Sequence, residues 1–556
     1  MKGSIIYWLL AALLLALVQL HLRLSPYTKV EESFNIQAAH DFYTHGVPLK
    51  VSNASEFLRA NFDHLTFPGA VPRSLTGAYV VSTIAGWIDH ARHGLSGQLL
   101  IRSVLGHFNA GALIFYGWGL MKSYGKGVAI WYLIFILSQF HIIYYASRPL
   151  PNMFAFVLTT IGFKFFLPSS HWKFEQTVRD KTGIILLTMA GVILRSEIAI
   201  LLAMVSLSLL ARGRLSIYRI ITSGLLGAAL GLSITIPFDS YFWRRTLWPE
   251  FDGFYFNVMN GQASSWGISP WHYYFTNALP KLLMNPMIYL ICIPFALARR
   301  KSRRNSFFLL FPSLAYTMIY SFQPHKEWRF IVYVIPSICG AAGMGAFHIW
   351  SHRDQGLLRR LLSIGLLAST FGCLMISTFV FLPASMANYP GGKALQTLQT
   401  RLMQSPDDVS VWMDTYTCQT GVTRWLEIEH PSPLYPNATW KYERTEDENV
   451  KNDPQFWRKF DYVIVETGLV DKIPGKWEVI DEVSGFEGVK VVHQSVPTPG
   501  IDEVEGKVWY EVMGDRGTRA WKRISDFGKT VSGGLWVDFN MVPKIKILKR
   551  IDGSTS

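Results

Sequence analysis

Long apolar blocks alternate along the chain with short polar loops, and the apolar positions fill whole blocks instead of recurring every third or fourth residue. Such blocks suit helices that meet apolar surroundings on every side, and runs of about 17–25 residues can cross a hydrocarbon core of about 30 Å. The pattern predicts about eleven membrane spans, at residues 5–22, 98–121, 128–146, 153–168, 182–195, 198–212, 217–237, 282–298, 306–322, 331–350 and 357–384. Residues 5–22 follow Lys2 and lack a small-residue cleavage site, so they read as an uncleaved first helix. Residues 76–91 are shorter and contain Gly and Ser, which predicts a re-entrant or interfacial segment. Gly227 and Gly231 mark a face on which a second helix packs closely.

Beyond residue 385 the blocks stop. Short β-like runs at Val409–Trp412, Asp461–Val465, Val489–Val492 and Val508–Val512, separated by turn-rich stretches, predict a small mixed α/β domain. The chain therefore divides into a multi-spanning domain, residues 1–385, and a C-terminal domain, residues 386–556.

Composition agrees: 50% of residues are hydrophobic, 17% are charged, and the mean hydropathy is +0.20. The net charge of +14 would suggest nucleic acid in a soluble chain, but much of it lies in short loops between spans, where topology explains it and no nucleic-acid partner is needed. With the N-terminus in the cytosol, the clusters at Lys122/Lys126, Lys173/Arg179/Lys181, Arg212/Arg214/Arg219, Arg299–Arg304 and Arg353/Arg359/Arg360 share the cytosolic side. Loops 23–97, 147–152, 238–281 and 323–330, the Arg195-Ser-Glu197 junction and the C-terminal domain then face the lumen. The acceptor sequons at Asn53 and Asn437 fall on that side, as candidate glycosylation sites must. Of four cysteines, Cys292, Cys339 and Cys373 lie in spans and only Cys418 in the C-terminal domain, so that domain must be held by packing and not by disulfides.

The chain has no phosphate-binding G-x-x-x-x-G-K-[ST] loop, no H-E-x-x-H and no G-x-S-x-G, which argues against ATP-driven transport and metalloprotease chemistry. What remains is carboxylates, cations and aromatics on one membrane face. Glu31 and Glu32 follow the first span, and His325-Lys-Glu-Trp-Arg-Phe330 lies between two later ones. Ionisable groups at bilayer depth cost about 2.5–3.5 kcal/mol each on insertion scales, so they persist where a site needs them. Such a set suits transfer of a group from a lipid phosphate, a carboxylate deprotonating the acceptor hydroxyl while cations stabilise the leaving phosphate. If Pro324 opens a helix, Lys326 and Arg329 lie on one face beside a phosphate-favouring N-terminal turn. If residues 28–35 are extended, the side chains of Glu31 and Glu32 point to opposite sides. The bland alternatives are a solvated loop for the acidic pair, an interfacial anchor for the charged knot, and membrane anchoring for the aromatics from Tyr241 to Phe275.

A resemblance adds to this. Thr28-Lys-Val-Glu-Glu-Ser-Phe-Asn-Ile-Gln-Ala38, Asp63-His64 with Phe67–Arg73, Arg148-Pro-Leu-Pro-Asn152, Arg195-Ser-Glu197, Asp239–Trp243 with Trp248-Pro-Glu250, Ser265-Trp-Gly267 with Pro270-Trp271, and His325–Phe330 together resemble the GT-C mannosyltransferases that use dolichyl-phosphate mannose. The likeness spans the membrane region and reaches the C-terminal domain in Gln419–Arg424 and Trp440–Glu446. Within that family Lys-Val-Glu-Glu is similar to the α-1,6 branch acting on the lipid-linked N-glycan precursor, whereas the dolichol-linked α-1,2 and GPI-anchor branches tend to carry Asp-Glu there. The resemblance implies an endoplasmic reticulum membrane enzyme with a lumenal site, dolichyl-phosphate mannose as donor, a lipid-linked oligosaccharide as acceptor, membrane lipids around it, and an inverting displacement. It implies Glu31 as base, with Glu32 orienting the acceptor or substituting in that role, and Lys326 and Arg329, aided by His325, on the donor phosphate. Asp63, His64, Arg73, Arg195, Glu197 and Asp239 are second-rank candidates, and no cofactor or metal is expected. A transporter or scramblase of lipid-linked sugars is the alternative from another class; it would favour internal repeats, and none is visible.

Overall fold

A computed structural model describes every residue except 1, 50–52, 93–96, 170–172, 404–407, 429–438, 494–500 and 552–556. The chain forms two compact units. One comprises Met1–Leu22 and Ala38–Thr378, the other Arg23–Gln37 and Phe379–Ser556. Residues 23–37, which lie within the expected membrane domain 1–385, cluster with the C-terminal unit.

In the first unit every predicted span falls on helix. Among the described residues five helices are long and apolar enough to cross a bilayer, Gly3–Leu24, Gly97–Tyr124, Ile217–Trp243, Trp328–Ser351 and Leu357–Met386, the first and last continuing past the unit boundaries. A sixth crossing results if Tyr274–Leu283 and Ile288–Ala298, bent by 110°, count as one. Lys126–Leu137, Pro151–Phe166 and Ile198–Ala211 are shorter apolar helices, while Lys173–Ile193 and Arg300–Tyr320 start on charged turns. Residues 76–91 form one unbroken helix, Thr76–Arg92, and no re-entrant loop.

The breaks have local causes. Wide π turns at Tyr274–Ala278, Ile288–Cys292 and Ser377–Phe381 each contain the residue four before a proline, at Pro280, Pro294 and Pro383. Proline donates no hydrogen bond and crowds the carbonyl four residues back, and the wider turn relieves that crowding. Helix Ile217–Trp243 packs on Lys173–Ile193 as the small-residue pattern predicts: a Cβ added at Gly227 would lie 2.9 Å from the Ile185 carbonyl oxygen, and one at Gly231 would lie 2.9 Å from Val192.

The C-terminal unit is built on a five-stranded sheet of order β2-β1-β3-β5-β4, with β1 Val409–Met413, β2 Trp440–Glu443, β3 Tyr462–Glu466, β4 Trp477–His493 and β5 Leu535–Arg550. β1 runs parallel to β2 and β3, and β5 runs antiparallel to β3 and β4. Both faces of β1 and β3 are covered. Val411, Ile464 and Ile547 pack under Ala394, Leu395 and Leu398 of helix Pro390–Arg401, while Trp412, Val463 and Leu548 meet Phe456, Trp457 and Phe460. β1 and β3 coincide with the β-like runs expected at Val409–Trp412 and Asp461–Val465. The expected strand at Val508–Val512 is instead part of helix Ile501–Val531, broken at Gly514 with φ +70.

Candidate active site

The acidic pair lies in the C-terminal unit. Residues 30–45 are helical, so Glu31 and Glu32 are consecutive positions of a first turn and not opposite faces of an extended segment. The turn separates their roles. The Glu32 carboxylate, 2% exposed, accepts the backbone N–H of Lys29 at 3.2 Å, and the N–H of Glu32 donates to the Lys29 carbonyl. This is the reciprocal half of a capping box, in which a glutamate three residues on satisfies a donor at the helix start. Glu31 stays exposed.

The cations gather in the first unit. Arg195 and Glu197 occupy the break between helices Lys173–Ile193 and Ile198–Ala211. Arg195 Nε donates to both Glu197 oxygens, at 2.9 and 3.1 Å. The same carboxylate accepts Asn152 Nδ2 and the Tyr333 hydroxyl, each at 3.1 Å. Asn152 follows Pro151 at a helix start, so Arg148-Pro-Leu-Pro-Asn152 delivers its amide to this network. Glu327 Oε1 receives Arg329 at 2.6 Å and lies 3.0 Å from His325 Nε2. The Phe330 ring sits 5.5 Å from the Arg195 guanidinium and 5.8 Å from that of Arg329.

Lys326 differs from expectation. Pro324 opens no helix; the turn begins at Trp328, so Lys326 and Arg329 do not share a helix face. The Lys326 ammonium is buried and donates to the carbonyls of Ser269 at 2.8 Å, Gln323 at 2.5 Å and Pro324 at 3.5 Å, and burial lowers its pKa.

Arg73 completes the cluster. Burial lowers its pKa to about 10, with Arg195 and Arg329 pushing the same way and Glu250 and Glu327 opposing. The residue is nonetheless exposed to solvent. Glu250, part of the Trp-Pro-Glu motif with no site role expected, accepts the Ser196 N–H at 2.6 Å and thereby braces the Arg195–Glu197 junction. Trp248 Nε1 ties the same turn to the Val192 carbonyl at 2.9 Å. Burial raises the Glu250 pKa to about 7, Glu197 adding to the effect and Arg195 and the Ser196 N–H opposing it. A carboxyl raised from 4.5 to about 7 favours its protonated form when folded, so native stability falls as pH rises through that window. Glu250→Gln is expected to remove this slope: its melting temperature should gain on the parent between those two pH values, and parallel melting curves across the window would contradict the assignment.

The remaining candidates hold the scaffold. Asp239, fully buried, accepts the Leu75 N–H at 2.8 Å and the Thr235 hydroxyl at 2.5 Å, securing the start of helix Thr76–Arg92. His64 is buried beside Trp243, 3.1 Å from the Phe242 carbonyl oxygen, and burial lowers its pKa. Asp63 donates its backbone N–H to Asp41 at 2.8 Å. Asn53 is exposed and caps helix Ala54–Asn61, whereas Asn437 lies outside the described residues.

Apolar helices whose ends carry a guanidinium–carboxylate cluster, together with a small sheet unit, make up a polytopic fold of GT-C type. The fold is similar to that of ArnT from Cupriavidus metallidurans in the apo state, with a TM-score of 0.59 at 14% identity over 87% of this chain and 97% of that one. Residues 4–423 match the Alg9-like mannosyltransferase family, and the chain belongs to that family. It is 30% identical, over 86% of its length and 88% of the relative's, to the Dol-P-Man:Man(7)GlcNAc(2)-PP-Dol alpha-1,6-mannosyltransferase of Saccharomyces cerevisiae. It is 31% identical to the Arabidopsis thaliana protein of the same name over 81% of this chain and 84% of that one. GPI mannosyltransferase 3 of Drosophila melanogaster is 28% identical over 41% of this chain.

Proposed function

We propose that the protein transfers mannose from dolichyl-phosphate mannose to Man7GlcNAc2-PP-dolichol, forming an α-1,6 linkage at the lumenal face of the endoplasmic reticulum membrane. The observation that carries this reading is the contrast in coverage: likeness to relatives named for this activity runs through both units, whereas the GPI relatives match less than half of the chain. Glu31 takes the proton from the acceptor's 6-hydroxyl as that oxygen attacks the anomeric carbon. The bond from that carbon to the phosphate oxygen breaks, its electron pair leaves with dolichyl phosphate, and the β-linked donor gives an α-linked product. Charge grows on the phosphate during departure, and fixed cations stabilise what develops there. Arg329, with His325, meets the phosphate; Arg195 and Arg73 add positive potential; Lys326 secures the loop by its three carbonyl contacts. Glu197 and Glu327 hold the two arginine forks in place.

Acceptor choice tests this reading. With dolichyl-phosphate mannose supplied, a Man7 lipid-linked acceptor should be lengthened while a GPI precursor is not; preference for the GPI precursor would move the protein to the other branch. Topology is tested separately, because basic clusters mark the cytosolic side. Single cysteines at Lys301→Cys and Asp447→Cys should label from opposite faces of sealed microsomes, and labelling from one face would contradict the lumenal orientation.

A further inference from the structure

The C-terminal unit holds the acidic segment from both sides. Upstream of Glu31, Tyr27 donates its hydroxyl to Gln396 at 2.6 Å, and its ring lies against Gly392 while its Cβ lies near Gly421. A Cβ at Gly392 would lie 2.5 Å from the Tyr27 ring. One at Gly421, whose φ is +125, would lie 3.2 Å from Tyr27 Cβ and 2.9 Å from the Gly392 nitrogen. Any larger residue at 392 would displace Tyr27, and at 421 the left-handed backbone disfavours side chains as well. The Lys29 ammonium reaches Asn388 Oδ1 at 3.2 Å. Downstream, Trp425 donates its indole N–H to the Ile36 carbonyl at 3.1 Å, and the Arg424 backbone N–H donates to Gln37 Oε1 at 3.0 Å. Glu31 therefore sits four residues after the Tyr27 tether, two after the Lys29 tether and five before the Ile36 tether. Glu32, fixed by its cap, holds the turn between them.

This is more than a small domain needs in order to fold. The sheet has its own cores on both faces, and these do not include Tyr27, Glu31 or Ile36. We propose that the C-terminal unit is part of the catalytic apparatus: Gly392, Gly421 and Trp425 are positioning residues that clamp residues 25–37 and so fix where the Glu31 carboxylate stands. The inference rests on Glu31 being the base. A base misplaced by about 1 Å can cost on the order of 10²-fold in rate with binding untouched.

The test uses the full-length protein in lipid nanodiscs. Gly392→Val, which expels Tyr27, should lower kcat on the order of 10²-fold. Trp425→Phe keeps the ring but loses the N–H, and a hydrogen bond of about 0.5–1.5 kcal/mol corresponds to a fall of about 2- to 10-fold. In both variants the KM for dolichyl-phosphate mannose, and the thermal shift given by dolichyl phosphate, should match the parent. A purely structural clamp would instead lower the melting temperature and leave kcat per folded molecule unchanged, and that result overturns the proposal. If Gly392→Val does not fold, Trp425→Phe decides by the same split. The two readings fail differently: an active Glu31→Gln removes the base, whereas an inactive Glu31→Gln beside parent-like Trp425→Phe and Gly392→Val removes the clamp alone.

Discussion

Glu31→Gln is expected to lower single-turnover mannose transfer by about 10²–10⁴-fold with saturating donor and acceptor, the range by which a positioned general base accelerates proton removal. Glutamine keeps the size and hydrogen bonding of the side chain and loses its basicity, so substrate binding should change little and the defect should appear in kcat. The neighbouring carboxylate serves as the internal control. Glu32 is buried and caps the Lys29 N–H, a bond the glutamine carbonyl can also accept, so Glu32→Gln should stay within about tenfold of the parent. An inactive Glu32→Gln beside an active Glu31→Gln would exchange their roles; two active variants would remove the acidic pair from the mechanism.

The second large effect is expected at Arg329. Its guanidinium is held by Glu327 and lies near the Phe330 ring and Arg73, at the start of a span. Arg329→Ala should reduce transfer by about 10- to 150-fold, because a charge-assisted bond worth about 1.5–3 kcal/mol is lost and Glu327 is left with a weaker partner. Arg329→Lys should recover part of the activity, since an ammonium restores the charge and not the planar fork. Transfer by Arg329→Ala at close to the parental rate, with intact membrane insertion, would leave the motif as an interfacial anchor.

Architecture was legible wherever a single physical preference acted alone. Unbroken apolar blocks had no outlet but a bilayer or a buried helix, and the helices fall where the blocks do. Gly227 and Gly231 lie against the neighbouring helix as their spacing implies. Legibility failed where tertiary context overrode local preference. Val508–Val512 has strand-like residues but is helical. Lys544-Ile-Lys-Ile-Leu-Lys549 alternates over its first four residues as a strand should, and it lies in β5. Pro324 looked like a helix start, yet the turn begins four residues later.

The candidate site shows the same contrast. Motif residues Glu31, Arg195, Glu197 and Arg329 could be named from sequence, but the difference between Glu31 and Glu32 could not, because it depends on which carboxylate caps the helix. Lys326 has the chemistry a phosphate needs, and its three carbonyl partners could not be read from the sequence. Glu250 and Tyr333 reach the cluster from sequence positions 54 and 136 residues from their partners Ser196 and Glu197. No local pattern reports such contacts. Asp239 and His64, polar residues of their motifs, make hydrogen bonds to the backbone at Leu75 and Phe242 that no local pattern announces.

Purified full-length protein in nanodiscs, given dolichyl-phosphate mannose and a Man7GlcNAc2 lipid-linked oligosaccharide, measures the central claim directly. Mass spectrometry of the released glycan should show one added hexose, and linkage analysis should find it α-1,6-bound, with the product missing when Glu31→Gln replaces the parent. An unextended glycan from folded parent protein, or a hexose added in another linkage, would contradict the account.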